Sequence, residues 1–181
     1  MGPVAGTRGV LYLMACAAPA AADLHHLVPR AQAAGWQVHV VTTPMGERFL
    51  NVPELERLTG DRVRSTYRMP EEPKGLPPAD AVIVAPATFN TINKWAAGIA
   101  DTFAVGLLCE VMGFGVPILA VPLLKAALAR HVAFVRNLAC LEEMGVRILF
   151  DPDAPPESRM PSWERIMQEL HTVVGERQAR E

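Results

Sequence analysis

A single doubly wound α/β domain built on a parallel sheet is the fold this sequence predicts, on three observations. Short runs that are apolar throughout, Val10–Ala15, Ala81–Ala85 and Val116–Val121, have strand length and suit strands buried on both faces. Between them lie stripes at helical spacing: Leu24, Leu27, Val28 and Ala31; Ile92, Trp95, Ala96 and Ile99; Trp163, Ile166, Met167, Leu170 and Val174. The 16 prolines and 13 glycines fall between these segments as punctuation, not as a low-complexity tract. Strands alternating with helices imply parallel pairing with right-handed crossovers.

Each element follows from its residues. Val10–Ala15 is the first strand, after a leader over residues 1–8. Pro19 to Ala34 reads as a helix that Pro29 kinks or shortens and Gly35 closes. Gln37 to Thr43 is the second strand. Pro44–Leu50 and Val52–Leu58 are short helices, the latter with Pro53 in its first turn. Val63–Tyr67 reads as a short strand, and Met69–Pro78, with four prolines, as an exposed loop. Pairing of the Ala81–Ala85 strand should stop at Pro86, which has no N–H to donate. Thr91 to Met112 is helical with a break near Gly98, and Asp101 caps its second half. After the strand Val116–Val121, a long helix runs from Leu124 to Met144, followed by a last strand, Val146–Phe150. Asp151–Pro161 is a proline-rich loop. The helix Trp163–Val174 completes a segment, 151–181, that packs on the domain of residues 9–150.

Composition narrows the function. Half of the 181 residues are hydrophobic and a fifth are charged, which suits one globular core. A net charge of -2 without a basic run argues against a nucleic-acid partner. Cys16, Cys109 and Cys140 are widely separated in apolar surroundings, as expected of reduced thiols in the cytoplasm. No metal-ligand spacing occurs, since the adjacent His25 and His26 point to different helix faces. The apolar run Val111–Leu124 is too short and too broken by Gly and Pro to span a membrane. Arg8 and the apolar stretch after it resemble an export signal, but the helical pattern that follows makes a strand and turn the better account.

Ligands of open α/β sheets sit outside the C-terminal ends of the strands. The third central strand runs into Thr88, Phe89, Asn90 and Thr91, whose hydroxyls and amide suit an anionic or heteroaromatic ligand. An ordinary Asn-capped turn explains the same residues equally well. No Gly-x-Gly-x-x-Gly is present, which argues against a dinucleotide.

Pro86-Ala-Thr-Phe-Asn-Thr-Ile-Asn-Lys94, continued by Gly98-Ile-Ala-Asp101, resembles the Pro-Ala-Ser-Ala-Asn-Thr signature and its following Gly-Ile-x-Asp. That signature belongs to the homo-oligomeric flavin-containing cysteine decarboxylases, which include phosphopantothenoylcysteine decarboxylase. The resemblance runs over residues 9–150 and implies a Rossmann-like, flavodoxin-type fold, an FMN cofactor and a trimer-based homo-oligomer. The apolar helix face around Trp95 and Phe103 is where it implies subunit contact. It implies that FMN is held at three turns: by Cys16 and Ala17; by Thr42 and Thr43, with Arg48 nearby; and by Pro86, Thr88, Phe89, Asn90 and Thr91. Cys16 and Ala17 stand where the family has Gly and Ser, so one hydroxyl contact to the phosphate is missing and Thr43 matters more.

By the same resemblance the substrate is a small acid or a peptide ending in cysteine, oxidised at the thiol-bearing carbon and then decarboxylated. Asn90 matches the signature Asn and is, with Glu72, the implied catalytic residue. The family's catalytic His lies eight residues before an Asp; counting back from Asp80 reaches Glu72, and no His occurs between His39 and His131. Glu72 would act as a base if the loop buried it, and is otherwise a solvated loop carboxylate. The motif Pro-Ala-Met-Asn, which holds the substrate carboxylate, reads Pro122-Leu-Leu-Lys125 here, so Lys125 becomes the substrate contact, as a point charge in place of an amide. Loss of the His leaves a second implication open, a non-catalytic, regulatory flavoprotein.

Overall fold

A computed structural model describes residues 8–72, 75–155 and 159–179. Residues 1–7 of the expected leader, 73–74 of the first proline-rich loop and 156–158 of the second lie outside the described residues. Five strands form one parallel sheet in the order β2-β1-β3-β4-β5: β1 (Gly9–Ala15), β2 (Trp36–Thr42), β3 (Ala81–Ala87), β4 (Ile118–Pro122) and β5 (Arg147–Ile148). Helices α1 (Leu27–Ala33), α2 (Val52–Thr59), α3 (Phe89–Ala96), α4 (Phe103–Gly113), α5 (Ala126–Ala129), α6 (Val132–Glu143) and α7 (Trp163–Gln178) flank it.

Because strand side chains alternate, the central strands feed two cores. Leu11, Leu13, Ala81, Ile83 and Ala85 face Leu27, Val28, Ile166 and Leu170. Tyr12, Met14, Val82 and Val84 face Ile92, Trp95, Leu108, Phe134 and Leu141. Helices therefore cover both faces, as the uniformly apolar strands require. Within the described residues no helix is long and apolar enough to cross a membrane.

Several boundaries differ from the expectation, each for a local reason. Strand β3 continues through Pro86 to Ala87, because proline forfeits only its donor: its carbonyl still accepts the Cys16 N–H at 2.9 Å, and the ladder to β4 shifts register between Val84 and Ala87. The predicted helix 19–34 is a 3-10 segment, Pro19–His26, followed by α1. Pro29 thus falls in the first turn of α1, where its missing N–H costs nothing. Gly98 takes the left-handed conformation, φ 68°, between α3 and α4. The cap of α4 is Thr102, whose side chain accepts the Val105 N–H, and Asp101 instead pairs with Lys94. His131 interrupts the expected helix 124–144: its Nδ1 accepts the Ala133 N–H at 3.1 Å and starts α6. The predicted strand 146–150 reduces to the two edge residues of β5.

The expected strand 63–67 is one rung, Arg64 against Val41, on the outer edge of β2. Beside it, Asp61 accepts a 2.7 Å hydrogen bond from Nδ1 of the buried His39. Burial alone would raise the Asp61 carboxyl pKa. The His39 and Arg62 hydrogen bonds and the nearby charges of His39 and Arg64 outweigh it, so the pKa lies below the usual carboxylate value. A carboxyl depressed in the folded state contributes stability above its unfolded pKa of about 4, and that contribution is lost as pH falls through the folded value. Asp61→Asn is therefore expected to flatten the acid limb of a stability-versus-pH curve below about pH 4. Urea melts at stepped pH would show it, and an acid limb identical to wild type would refute it.

Candidate functional site

The strand order reverses between β1 and β3: β2 lies on one side of β1, and β3, β4 and β5 lie on the other. The C-terminal ends of adjacent strands must diverge there, which opens a crevice. In this chain the crevice is a cleft of about 1120 Å3. The turn after β1 supplies Ala17, Ala18 and Ala20, and the turn after β2 supplies Thr43, Pro44 and Met45. From the turn after β3 come Thr88, Phe89, Asn90 and Thr91, and from that after β4 come Leu123, Leu124 and Lys125.

Each turn is fixed by its own hydrogen bonds. Thr42 is fully buried and donates its hydroxyl to the Ala15 carbonyl at 2.8 Å, so it ties β2 to β1 below the cleft and does not line it. Thr43 lines the cleft. Its Oγ1 accepts the Gly46 N–H at 3.0 Å, which leaves the hydroxyl hydrogen available to a ligand. Thr88 caps α3, its Oγ1 accepting the Thr91 N–H at 3.4 Å and lying 3.1 Å from the Thr91 hydroxyl. Phe89 stacks on Phe134 at 5.9 Å between centroids and meets the edge of His131 at 5.5 Å, which holds its ring in the wall.

Asn90 is exposed at the start of α3, and its side-chain amide has no hydrogen-bond partner among the described residues. Lys125 is likewise exposed and unpaired, at the N-terminus of α5. Arg159 and Met160 reach the cleft from the last loop, with Arg159 Nε donating to the Ala154 carbonyl at 3.2 Å. Lys94 and Asp101 also line it, but they neutralise each other as an ion pair. The charges left unpaired on the lining are therefore cationic, over walls of Ala18, Met45, Val105 and Leu128.

Besides Thr42, four predicted residues lie off the lining. Pro86 sits buried within β3, and Arg48 is exposed but does not line the cleft. Cys16 lies under the floor, 3% exposed, and burial pushes its thiol pKa up despite hydrogen bonds from Thr91 and Thr88. It is thus a neutral packing group, not a thiolate. Glu72 is the larger departure. Its Oε2 accepts the Met69 N–H at 2.9 Å on an exposed loop, and it does not line the cleft. The structure does not bring it to Asn90.

The reading from sequence missed Met45, Val105, Leu123, Leu124, Leu128, Arg159 and Met160. Leu124 and Leu128 carried a signal, an i,i+4 apolar pair directly after a strand. Arg159 and Met160 carried none, because they arrive from a loop without periodicity.

A family profile described as Flavoprotein matches residues 7–175. The chain belongs to the Flavoprotein family. Among curated relatives of this flavoprotein, the coenzyme A biosynthesis bifunctional protein CoaBC of Thermococcus kodakarensis is 27% identical over 146 residues, 76% of this chain and 36% of that protein. The chain spans about a third or less of the length of the curated relatives it matches. Among solved structures, the FMN-dependent cysteine decarboxylase SpaF is 27% identical with a TM-score of 0.67, covering 80% of this chain and 85% of that one. TvaF, an FMN-dependent cysteine decarboxylase from thioviridamide biosynthesis, shares the fold at 21% identity, TM-score 0.73, over 93% of this flavoprotein and 99% of its own chain.

Proposed function

We propose that this chain binds FMN in the cleft and acts as an oxidative decarboxylase or oxidoreductase related to phosphopantothenoylcysteine decarboxylase. The observation that carries the reading is where the cleft lies: at the β1/β3 switch point, which in a 2-1-3-4-5 sheet is where FMN binds in flavodoxin. The lining fits such a ligand. A planar ring needs apolar walls and an edge of hydrogen-bonding groups, and Ala18, Met45 and Phe89 with the unspent Asn90 amide supply both. A phosphate needs donors, and the Thr43 hydroxyl and the Ala20 N–H, which meets no backbone acceptor among the described residues, supply them.

When bound, the flavin supplies a two-electron oxidant. The protein's own part is to hold and orient. Asn90 and Thr43 fix the cofactor, and Lys125 with Arg159 receives the carboxylate of a small acid or of a peptide ending in cysteine. Phe89, pinned by Phe134, closes one wall against water. We place the chain in the cytoplasm, consistent with three free cysteines. We further propose a trimer-based homo-oligomer. The face expected to meet other subunits is only partly free, since Trp95 is 1% exposed in its own core and Phe103 packs against Tyr67. The exposed apolar residues of α5 and α6, Leu128, Val132 and Val135, offer the alternative surface.

One observation favours a second reading, a regulatory flavoprotein without turnover. Among the described lining residues there is no histidine, and the one carboxylate, Asp101, is spent on Lys94. Purified protein is expected to be yellow and to release FMN on denaturation. Asn90→Asp, which exchanges an amide for a charge, is expected to weaken retention by about ten- to a hundredfold. Colourless protein that takes up no FMN would overturn both readings. Yellow protein that neither bleaches nor releases CO2 with a peptide ending in cysteine under anaerobic conditions would select the regulatory one.

A further inference from the structure

Arg64 poses a problem that the cleft does not solve. Its backbone is locked as a rung on β2: the Arg64 N–H donates to the Val40 carbonyl at 3.0 Å, and the Thr42 N–H donates to the Arg64 carbonyl at 2.8 Å. With the Cα fixed, the side chain enters a second cavity of about 360 Å3, between α4, the base of β1 and the segment before β3. Its Nε is sealed from solvent with no acceptor, although the residue as a whole is half-buried. Its charge helps to hold the Asp61 carboxyl low, but Asp61 pairs with His39 and not with Arg64. A sealed donor without an acceptor is costly, and native structures seldom leave one unexplained.

The other polar groups of this cavity do not answer it. Tyr12 gives its hydroxyl to the Pro77 carbonyl at 2.5 Å. Burial first, then the charge of Glu110, pushes its pKa up to about 12, so it stays neutral at physiological pH. Arg68 donates through Nη1 to the Glu72 carbonyl at 2.7 Å and stabilises the loop itself. Glu110 lines the cavity but forms no ion pair with Arg64 among the described residues. The wall beside them is largely apolar, with Phe103 and Leu107 from α4 and Phe114 at its C-terminal end. A guanidinium with one unsatisfied N–H, an apolar wall and a carboxylate on the same lining suit a monoanion with an apolar body, because a second negative charge would share the cavity with Glu110. The volume lies within the range of small-ligand pockets.

We propose that this cavity is a second ligand site, independent of the flavin cleft, which binds a small monocarboxylic acid with its carboxylate on Arg64 and its apolar part against Phe103, Leu107 and Phe114. The site is a neighbour of the cleft, not part of it. Helix α4 presents Thr102 and Val105 to the cleft and Phe103, Leu107 and Glu110 to the second cavity.

The test uses sodium phenylacetate as the probe on the full chain, followed by saturation-transfer NMR, with neutral phenylacetamide as its isostere. Saturable phenylacetate binding is expected, with phenylacetamide at least tenfold weaker. Arg64→Gln keeps the backbone rung and is expected to lose at least tenfold. Leu107→Trp fills the cavity and is expected to abolish binding, whereas Lys125→Gln in the cleft leaves it unchanged. Absence of saturable binding in the wild type would overturn the site, as would equal binding of acid and amide. Binding that survives in an Arg64→Gln protein of unchanged melting temperature, or that is lost in Lys125→Gln instead, would overturn it as well. Flavin content, read by absorbance on the same samples, is expected to be the same in Arg64→Gln and wild type. A failure here is thereby distinguished from a failure of the cofactor reading.

Discussion

Gly46→Ala is expected to weaken the proposed flavin binding in the cleft and to destabilise the protein at the same time. A Cβ at position 46 would collide with the Thr42 hydroxyl and stand 2.9 Å from Thr43 Oγ1 and 3.0 Å from the Ala15 carbonyl oxygen. None of these is the loose end of a flexible side chain. Thr42 is buried and anchored to Ala15, and the Ala15 oxygen belongs to the β1 backbone. The turn itself must therefore lift, which breaks the Gly46 N–H to Thr43 Oγ1 hydrogen bond and moves the one hydroxyl available from this turn. Overpacking of this kind costs about 1–3 kcal/mol. Misplacing a hydroxyl bonded to an anion costs a further factor of about ten or more in affinity. Urea unfolding reads the first effect and flavin retention on gel filtration the second. A variant with wild-type unfolding would refute the packing argument whatever the cleft binds.

Ile83→Ala is expected to give the largest loss of stability from a single core truncation in the sheet, about 2–5 kcal/mol. Ile83 is fully buried at the middle of β3, paired with Leu13 on one side and Leu119 on the other. Strands on both sides and helices above it leave little freedom to collapse into the vacated space. Val135, 56% exposed on α6, provides the contrast: Val135→Ala should stay within about 0.5 kcal/mol in the monomer. The two variants compared by urea melts separate core packing from surface composition. A loss below about 1 kcal/mol for Ile83→Ala would mean that the sheet repacks, against the density of this core.

Much of the fold was legible because its signals are local. Apolar runs of strand length gave β1, β3 and β4, and the stripe Ile166, Met167, Leu170 and Val174 gave α7. What failed were boundaries settled by single hydrogen bonds. Thr102 rather than Asp101 caps α4, because the residue adjoining the first helical turn takes the cap and Asp101 is drawn to Lys94. His131 stops a pattern that reads as continuous helix, and β5 shrinks to two residues because only Arg147 and Ile148 pair with the edge of β4.

The candidate site divides in the same way. Asn90, Thr88 and Thr91 could be found from sequence since they sit on one turn directly after a buried strand, and their spacing fixes them together. Thr43 and Lys125 follow from the ends of two other strands. The separation of Thr42 from Thr43 was not legible. Neighbours in a strand point to opposite sides, and only the sheet shows which side is the cleft. Nor was the isolation of Glu72, whose place in sequence gives no distance to Asn90.

By itself, the sequence of this Flavoprotein-family chain determined a parallel sheet with a polar turn after its central strand, because periodicity and turn chemistry act over a few residues. The tertiary structure alone decided which groups meet at the β1/β3 reversal. It brought Arg159 and Met160 to the cleft, left Glu72 outside it, and turned Arg64 toward a second cavity with its Nε left without an acceptor. Those outcomes depend on how far chain segments travel before they pack, and no local pattern records that distance.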